Sequence, residues 1–254
     1  MSALAVSAGP AAPLAAIDRA PLLRWMIFTG LTVFAAALLW RFGLFRLMVA
    51  ADRTYISSVI AGLYVAASLH CLWRTIVLSR EADQARRVEA LVASGAVDFS
   101  LPDAAGALPS QGLVAGHIRN LALKARTQGA GRLDQTLLLR GLADSLRGSN
   151  ALGAFAGDTL MKLGLLGTIV GFIIMLAPIA GLDASDRAAM KTSMGLMSDG
   201  MAVAMYTTLA GLVGSILVKI QYYGLDAATA RVFGKALTLT ETRVVPALER
   251  RHGG

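Results

Sequence analysis

Residues 160–181 read LMKLGLLGTIVGFIIMLAPIAG, and residues 200–218 read GMAVAMYTTLAGLVGSILV. Each stretch is long enough to cross a bilayer, because a helix needs about 20 apolar residues at 1.5 Å rise to span roughly 30 Å of hydrocarbon. A short polar segment joins them, so the spacing predicts a membrane hairpin. In the first stretch Gly164, Thr168, Gly171 and Met175 follow one another at steps of three or four; in the second, Gly200, Ala204, Thr208, Gly211 and Ser215 do the same. Such steps keep residues on one helical face, so each helix carries one smooth side with a threonine near its middle.

Small-residue stripes let transmembrane helices pack closely, and that alone accounts for many of them. The depth of the hydroxyls adds something further. In an antiparallel hairpin Thr168 lies about 12 Å from the inner start of its helix, and Thr208 lies about 16 Å from the inner end of its own. The two hydroxyls therefore sit within about one turn of the same level, which suits a polar ring in a pore. Thr207, one position round the helix, is secondary.

The runs LGLLGTIVGF (163–172) and SDGMAVAMYTTLAGL (198–212) resemble the two core helices of the MotA/TolQ/ExbB proton-channel family. Both motifs, their order and their spacing agree. The resemblance implies that Thr168 and Thr208 face an ion path and that Gly164, Gly171, Gly200, Ala204, Gly211 and Ser215 pack along the pore face. It implies a homopentamer in the bacterial inner membrane around two copies of a single-span MotB/TolR/ExbD-like partner that bears an intramembrane aspartate. Flow of protons, rather than sodium ions, would then drive rotation or force. One position departs: the ExbB-like branch carries a glutamate three residues after the glycine matching Gly200, where this chain has Val203. The stretch GMAVAMYTTL reads more like the flagellar-stator branch. A reading from another class, a non-conducting membrane scaffold, stays open at this stage.

Bulk composition agrees with a membrane protein, since 254 residues that are 56% hydrophobic and only 16% charged are too apolar for a soluble domain of that size. The net charge of +8 comes from dispersed residues with no aromatic-studded basic stripe, so nucleic acid is not the expected partner. The single cysteine, Cys71, and three scattered histidines supply neither a disulfide framework nor a metal site. No phosphate-cradling glycine loop, metal-spaced cluster or nucleophile constellation points to an enzyme, and no cofactor is expected. Between residues 160 and 218 the carboxylates are Asp183, Asp186 and Asp199, all in or beside the segment joining the two apolar stretches.

Working outward gives an all-α integral membrane protein with four transmembrane helices and a helical cytoplasmic domain between the second and third. Residues 1–21 read as a flexible cytoplasmic tail. Residues 22–78 hold two spans and a short external loop, with Trp25, Trp40, Trp73 and Arg74 as interface anchors. His70 lies in the last third of the second span and is a candidate proton relay, although one histidine near the interface is more often satisfied by a neighbour. Residues 79–158 read as a cytoplasmic helical domain: READQARRVEALVASG continues the second span inward, and two further helices flank a QGAG turn. The second of these has Leu133, Leu137, Leu138 and Leu142 on its apolar face. The charged side of this domain is a solvated surface or a docking surface for a cytoplasmic rotor or regulator. Residues 159–223 are the pore-forming hairpin, with Tyr222 and Tyr223 as belt residues, and residues 224–254 are a cytoplasmic C-terminal helix. The basic residues fit this topology. Nine Lys/Arg in residues 79–158 and six from Lys219 onward face five in the two external loops, 41–54 and 181–198.

Overall fold

The computed structural model describes residues 20–43, 55–97, 106, 108–128, 133–178 and 187–252. Most of the N-terminal tail, most of the 41–54 loop and residues 179–186 lie outside these. Every regular element among the described residues is helical. Helix α1 runs Ala20–Arg41, α2 Ile56–Ala93, α3 Leu113–Gln128 and α4 Thr136–Arg147. A 3-10 turn, Gly148–Asn150, leads into α5, Ala151–Leu176; α6 covers Arg187–Leu239, and a π-helical turn, Thr240–Val244, leads into α7, Val245–His252.

Three helical segments, Ile56–Ala93, Thr136–Leu176 and Met190–Arg250, are long and apolar enough to cross a membrane. The apolar part of α1, Trp25–Arg41, is shorter. Two helices run well past any bilayer. At 1.5 Å per residue α2 is about 57 Å long and α6 about 80 Å, each roughly twice the thickness of the hydrocarbon or more. Glycine ends α2: Gly95 sits at φ 72°, a conformation that a Cβ disfavours, while the Ser94 amide donates to Ala90 O at 2.9 Å. Helix α6 begins at Arg187, so the segment read as an outer loop is helical over most of its length. Its residues RAAMKTSMGLM contain no proline and are rich in Ala, Met, Arg and Lys, which propagate a helix readily. The π turn lies just ahead of Pro246, which has no N–H to close an α-helical hydrogen bond, so the ladder widens there.

The core lies where α2, α3, α4, α6 and α7 meet. Val88, Ile118, Leu121, Leu146, Val218 and Val244 are all but sealed from solvent. Helix α3 turns Val114, Ile118, Leu121 and Ala125 inward at helical spacing. Its first amide, Leu113 N, donates to the Glu81 carboxylate at 2.9 Å, a charge well placed at a helix N-terminus. In α4 the buried face is Leu142 and Leu146, with Leu138 half-buried, whereas Leu137 is 73% exposed. The helix starts at Thr136, so Leu133, though buried, precedes it, and the inward row is 138/142/146 with Leu137 turned outward.

His117 is buried against this core, and burial pushes its pKa below the usual histidine value, against a weaker opposing influence of the neighbouring Gln135 side chain and Leu138 backbone. The folded domain therefore holds a neutral imidazole. Because the folded pKa lies below the unfolded one, the contribution to stability is complete above about pH 6.5 and is lost as pH falls. Hydrogen exchange should show α3 amides less protected at pH 5.5 than at pH 7.5. A His117→Leu chain should lose that difference, and equal loss of protection in both proteins would remove His117 as its source.

Candidate functional site

The most extensive packing in the fold joins α5 to α6. Glycines make it possible. Gly164, Gly171, Gly200 and Gly211 are buried between the helices, as is Ser215, with Ala204 partly so. Their backbones nearly touch: a Cβ added at Gly164 would lie 3.2 Å from both Gly211 Cα and Thr207 O, and one at Gly171 would lie 2.7 Å from Gly200 O. The two stripes read from the sequence thus face each other and form the seam of the hairpin. Gly167, outside the stripe, belongs to it as well, lying against the Thr207 side chain.

At the margin of this seam the structure brings Thr168 and Thr208 together. Their hydroxyls are hydrogen-bonded to each other, and each Oγ1 also lies 3.2 Å from the Gly164 carbonyl. Two hydroxyls carry two protons between them, so one proton bridges the pair and the other goes to the carbonyl, leaving oxygen lone pairs free to accept. Thr168 is exposed and Thr208 half-buried, so this polar spot opens outward from the hairpin between Leu165 and Ile169, both exposed. Thr207 is turned away from it. Fully buried, it donates to Val203 O at 2.8 Å within its own helix and fills the space beside Gly167.

His70 lies elsewhere. Its Nδ1 is 2.6 Å from the Tyr222 hydroxyl and its Nε2 is 2.9 Å from Ser149 Oγ. Tyr222 is fourteen residues further along α6 than Thr208, a separation of about 21 Å. Tyr222 was expected at the membrane belt; it is instead 4% exposed, its ring pressed on Gly153, where a side chain would collide with it. Tyr223, at 78% exposure, has the outward position that a belt residue needs.

Around His70 lies a polar joint that the sequence does not reveal. Arg74 Nη2 donates to the carbonyls of Leu146 and Arg147, both at 2.9 Å, which satisfies the C-terminal end of α4. Asn150 accepts from Arg74 Nε at 3.3 Å and donates to Asp226 at 2.8 Å. These bonds tie α2 to the α4–α5 junction and to α6. Nearby, Lys219 pairs with Asp158 at 2.8 Å, and its hydrogen bond and charge hold that carboxyl below the usual range. Both partners are about half exposed, so the pair adds little stability. Sequence separations of 72 to 152 residues hide this cluster from periodicity, and its one local signal is Arg74 at the end of an apolar run.

No curated protein and no solved structure matches the chain. The model of the MotA/TolQ/ExbB proton channel family matches residues 135–235. That region takes in α4, α5, the glycine seam, both paired threonines and the α6 side of the polar joint. Over residues 135–235 this membrane protein is thus similar to the MotA/TolQ/ExbB proton channel family.

Proposed function

We propose that the chain is the ring-forming subunit of an ion channel, for protons rather than sodium, in a membrane motor that converts ion-motive force into rotation or into force on a partner. The observation that carries this reading is the Thr168–Thr208 hydroxyl pair, set at one depth in two apolar helices and open on one side. A homopentamer would bring five such pairs around a central path. A dimer of a single-span MotB/TolR/ExbD-like protein in that path would supply an intramembrane aspartate, which the hydroxyls can hydrogen-bond. The assembly is placed in the bacterial inner membrane, with residues 79–158 available to a cytoplasmic rotor or regulator.

Reconstitution with a single-span partner encoded beside this chain tests the proposal. Liposomes carrying both proteins should acidify internally under an imposed pH gradient and potential. A scaffold whose glycine seam serves assembly alone would give liposomes no leakier than empty ones.

The topology proposed is four spans with both termini and residues 79–158 in the cytoplasm, on the strength of the Lys/Arg bias. Reporter fusions at Leu108 and after Gly254 should both report cytoplasm. A periplasmic signal from either contradicts the arrangement.

A further inference from the structure

A crevice of about 290 Å³ lies between α1 and α6, lined by Trp25 and Phe28 on one side and by Ile220, Gln221, Tyr223 and Arg231 on the other. It is independent of the threonine pair and depends on the membrane placement alone. Three features run along its axis. At the outer end the lip is apolar and open, with Ile220 47% and Tyr223 78% exposed.

At the level of this lip stands Gln221, 5% exposed, whose Oε1 accepts from Ser68 at 3.0 Å while its Nε2 has no hydrogen-bond partner. A buried amide that has forfeited its hydration without a replacement bond is uncommon, and this one fixes two N–H donors in the crevice wall. The Trp25 indole N–H, which also lines the crevice, likewise has no hydrogen-bond partner. At the inner end is Arg231, exposed and with no ion pair or hydrogen bond among the described residues.

Positions 220, 224, 227 and 231 share one face of α6, and Arg231 lies about 15 Å along the helix from Gln221. Helical side chains lean toward the N-terminus, which for Arg231 is the membrane side, so the guanidinium reaches back toward the amide. An apolar lip and a buried donor at one level with a cation further inward match the acyl-chain and ester end of a glycerophospholipid lying outward of its phosphate. We infer that the crevice binds an anionic phospholipid of the inner leaflet, its ester at Gln221 and its phosphate at Arg231. The crevice is small for a whole lipid, which places the headgroup region inside and leaves the chains in the bilayer.

Trp25 reports occupancy. In full-length protein carrying Trp40→Phe and Trp73→Phe, held in phosphatidylcholine nanodiscs, brominated phosphatidylglycerol should quench Trp25 several-fold more than brominated phosphatidylcholine at equal mole fraction. Arg231→Gln should equalise the two, Arg231→Lys should keep the preference, and Gln221→Leu should weaken quenching by both. Equal quenching by the two lipids in the parent protein would overturn the inference, as would a preference that survives Arg231→Gln or quenching unchanged by Gln221→Leu. Quenching that appears only when residues 1–18 are removed would overturn it too, showing that the chain's own N-terminal segment fills the crevice.

Discussion

A Gly171→Leu chain is expected to yield no stable hairpin and, in practice, almost no extractable full-length protein. Added side-chain atoms at Gly171 would start 2.6 Å from Ala204 N and 2.7 Å from Gly200 O, and those are backbone atoms that cannot rotate aside. The opposing surface is equally tight: a Cβ at Gly200 would lie 2.5 Å from Met175 N, and one at Gly211 would lie 2.6 Å from Leu160 O. Overpacking among flexible side chains costs about 1–3 kcal/mol. Parting two helix backbones costs more, because every dispersion contact along the seam weakens at once and apolar lipid offers no hydrophobic force to restore it. Gly62→Leu is the matched control, since a Cβ at that exposed position meets nothing within 4 Å. Fluorescence-detected size exclusion after a temperature ramp should separate the two. Wild-type melting of Gly171→Leu would show that α5 and α6 do not pack as described.

The second large effect concerns what the chain lacks. Moving a proton through a membrane normally needs a group that changes charge, such as Asp, Glu or His. Threonine hydroxyls do not titrate near neutral pH and can only accept and pass on hydrogen bonds. Between residues 160 and 218 the carboxylates are Asp183, Asp186 and Asp199, which belong to the connecting segment and its edge. His70 has both ring nitrogens engaged, by Tyr222 and Ser149, about 21 Å along α6 from Thr208. Liposomes holding this chain alone should therefore conduct no faster than empty ones. In the two-component complex, changing the partner's intramembrane aspartate to asparagine should bring flux to that same baseline while the proteins still purify together. Full flux from the single chain would mean that His70 or an outer aspartate carries the proton.

Periodicity was enough to read the hairpin, because apolar length and steps of three and four are local properties of a helix. It assigned Gly164, Gly171, Gly200, Ala204 and Gly211 to faces without saying what those faces meet. The structure turns the two stripes onto each other, which leaves the threonine pair at the seam's edge and separates Thr208, half-buried there, from the fully buried Thr207. The inward continuation of the second span was legible in READQARRVEALVASG, which contains no helix breaker before Gly95. The start of α6 at Arg187 was less so, since the polar residues around Asp199 imitate a loop even though none of them breaks a helix. The joint of His70, Arg74, Ser149, Asn150, Tyr222 and Asp226 was not legible at all. Its members come from three distant stretches; His70, read singly as a candidate relay, and Arg74 and Tyr222, read as interface residues, give no sign of one another.

The central claim is that the Thr168–Thr208 pair lines the ion path, and valine tests it because it keeps the volume and removes the hydroxyl. A hydrogen bond to a charged group contributes about 1.5–3 kcal/mol, so its loss in the path should slow conduction by about tenfold to a hundredfold. Proton flux should be measured in liposomes containing the complete two-component complex, with Thr168→Val, Thr208→Val and the double variant at matched protein content. The account predicts that each single change lowers flux by that factor with assembly intact, and that the double change is far from additive because the hydroxyls act as one unit. Normal flux from both single variants would contradict it and leave the two stripes as packing seams.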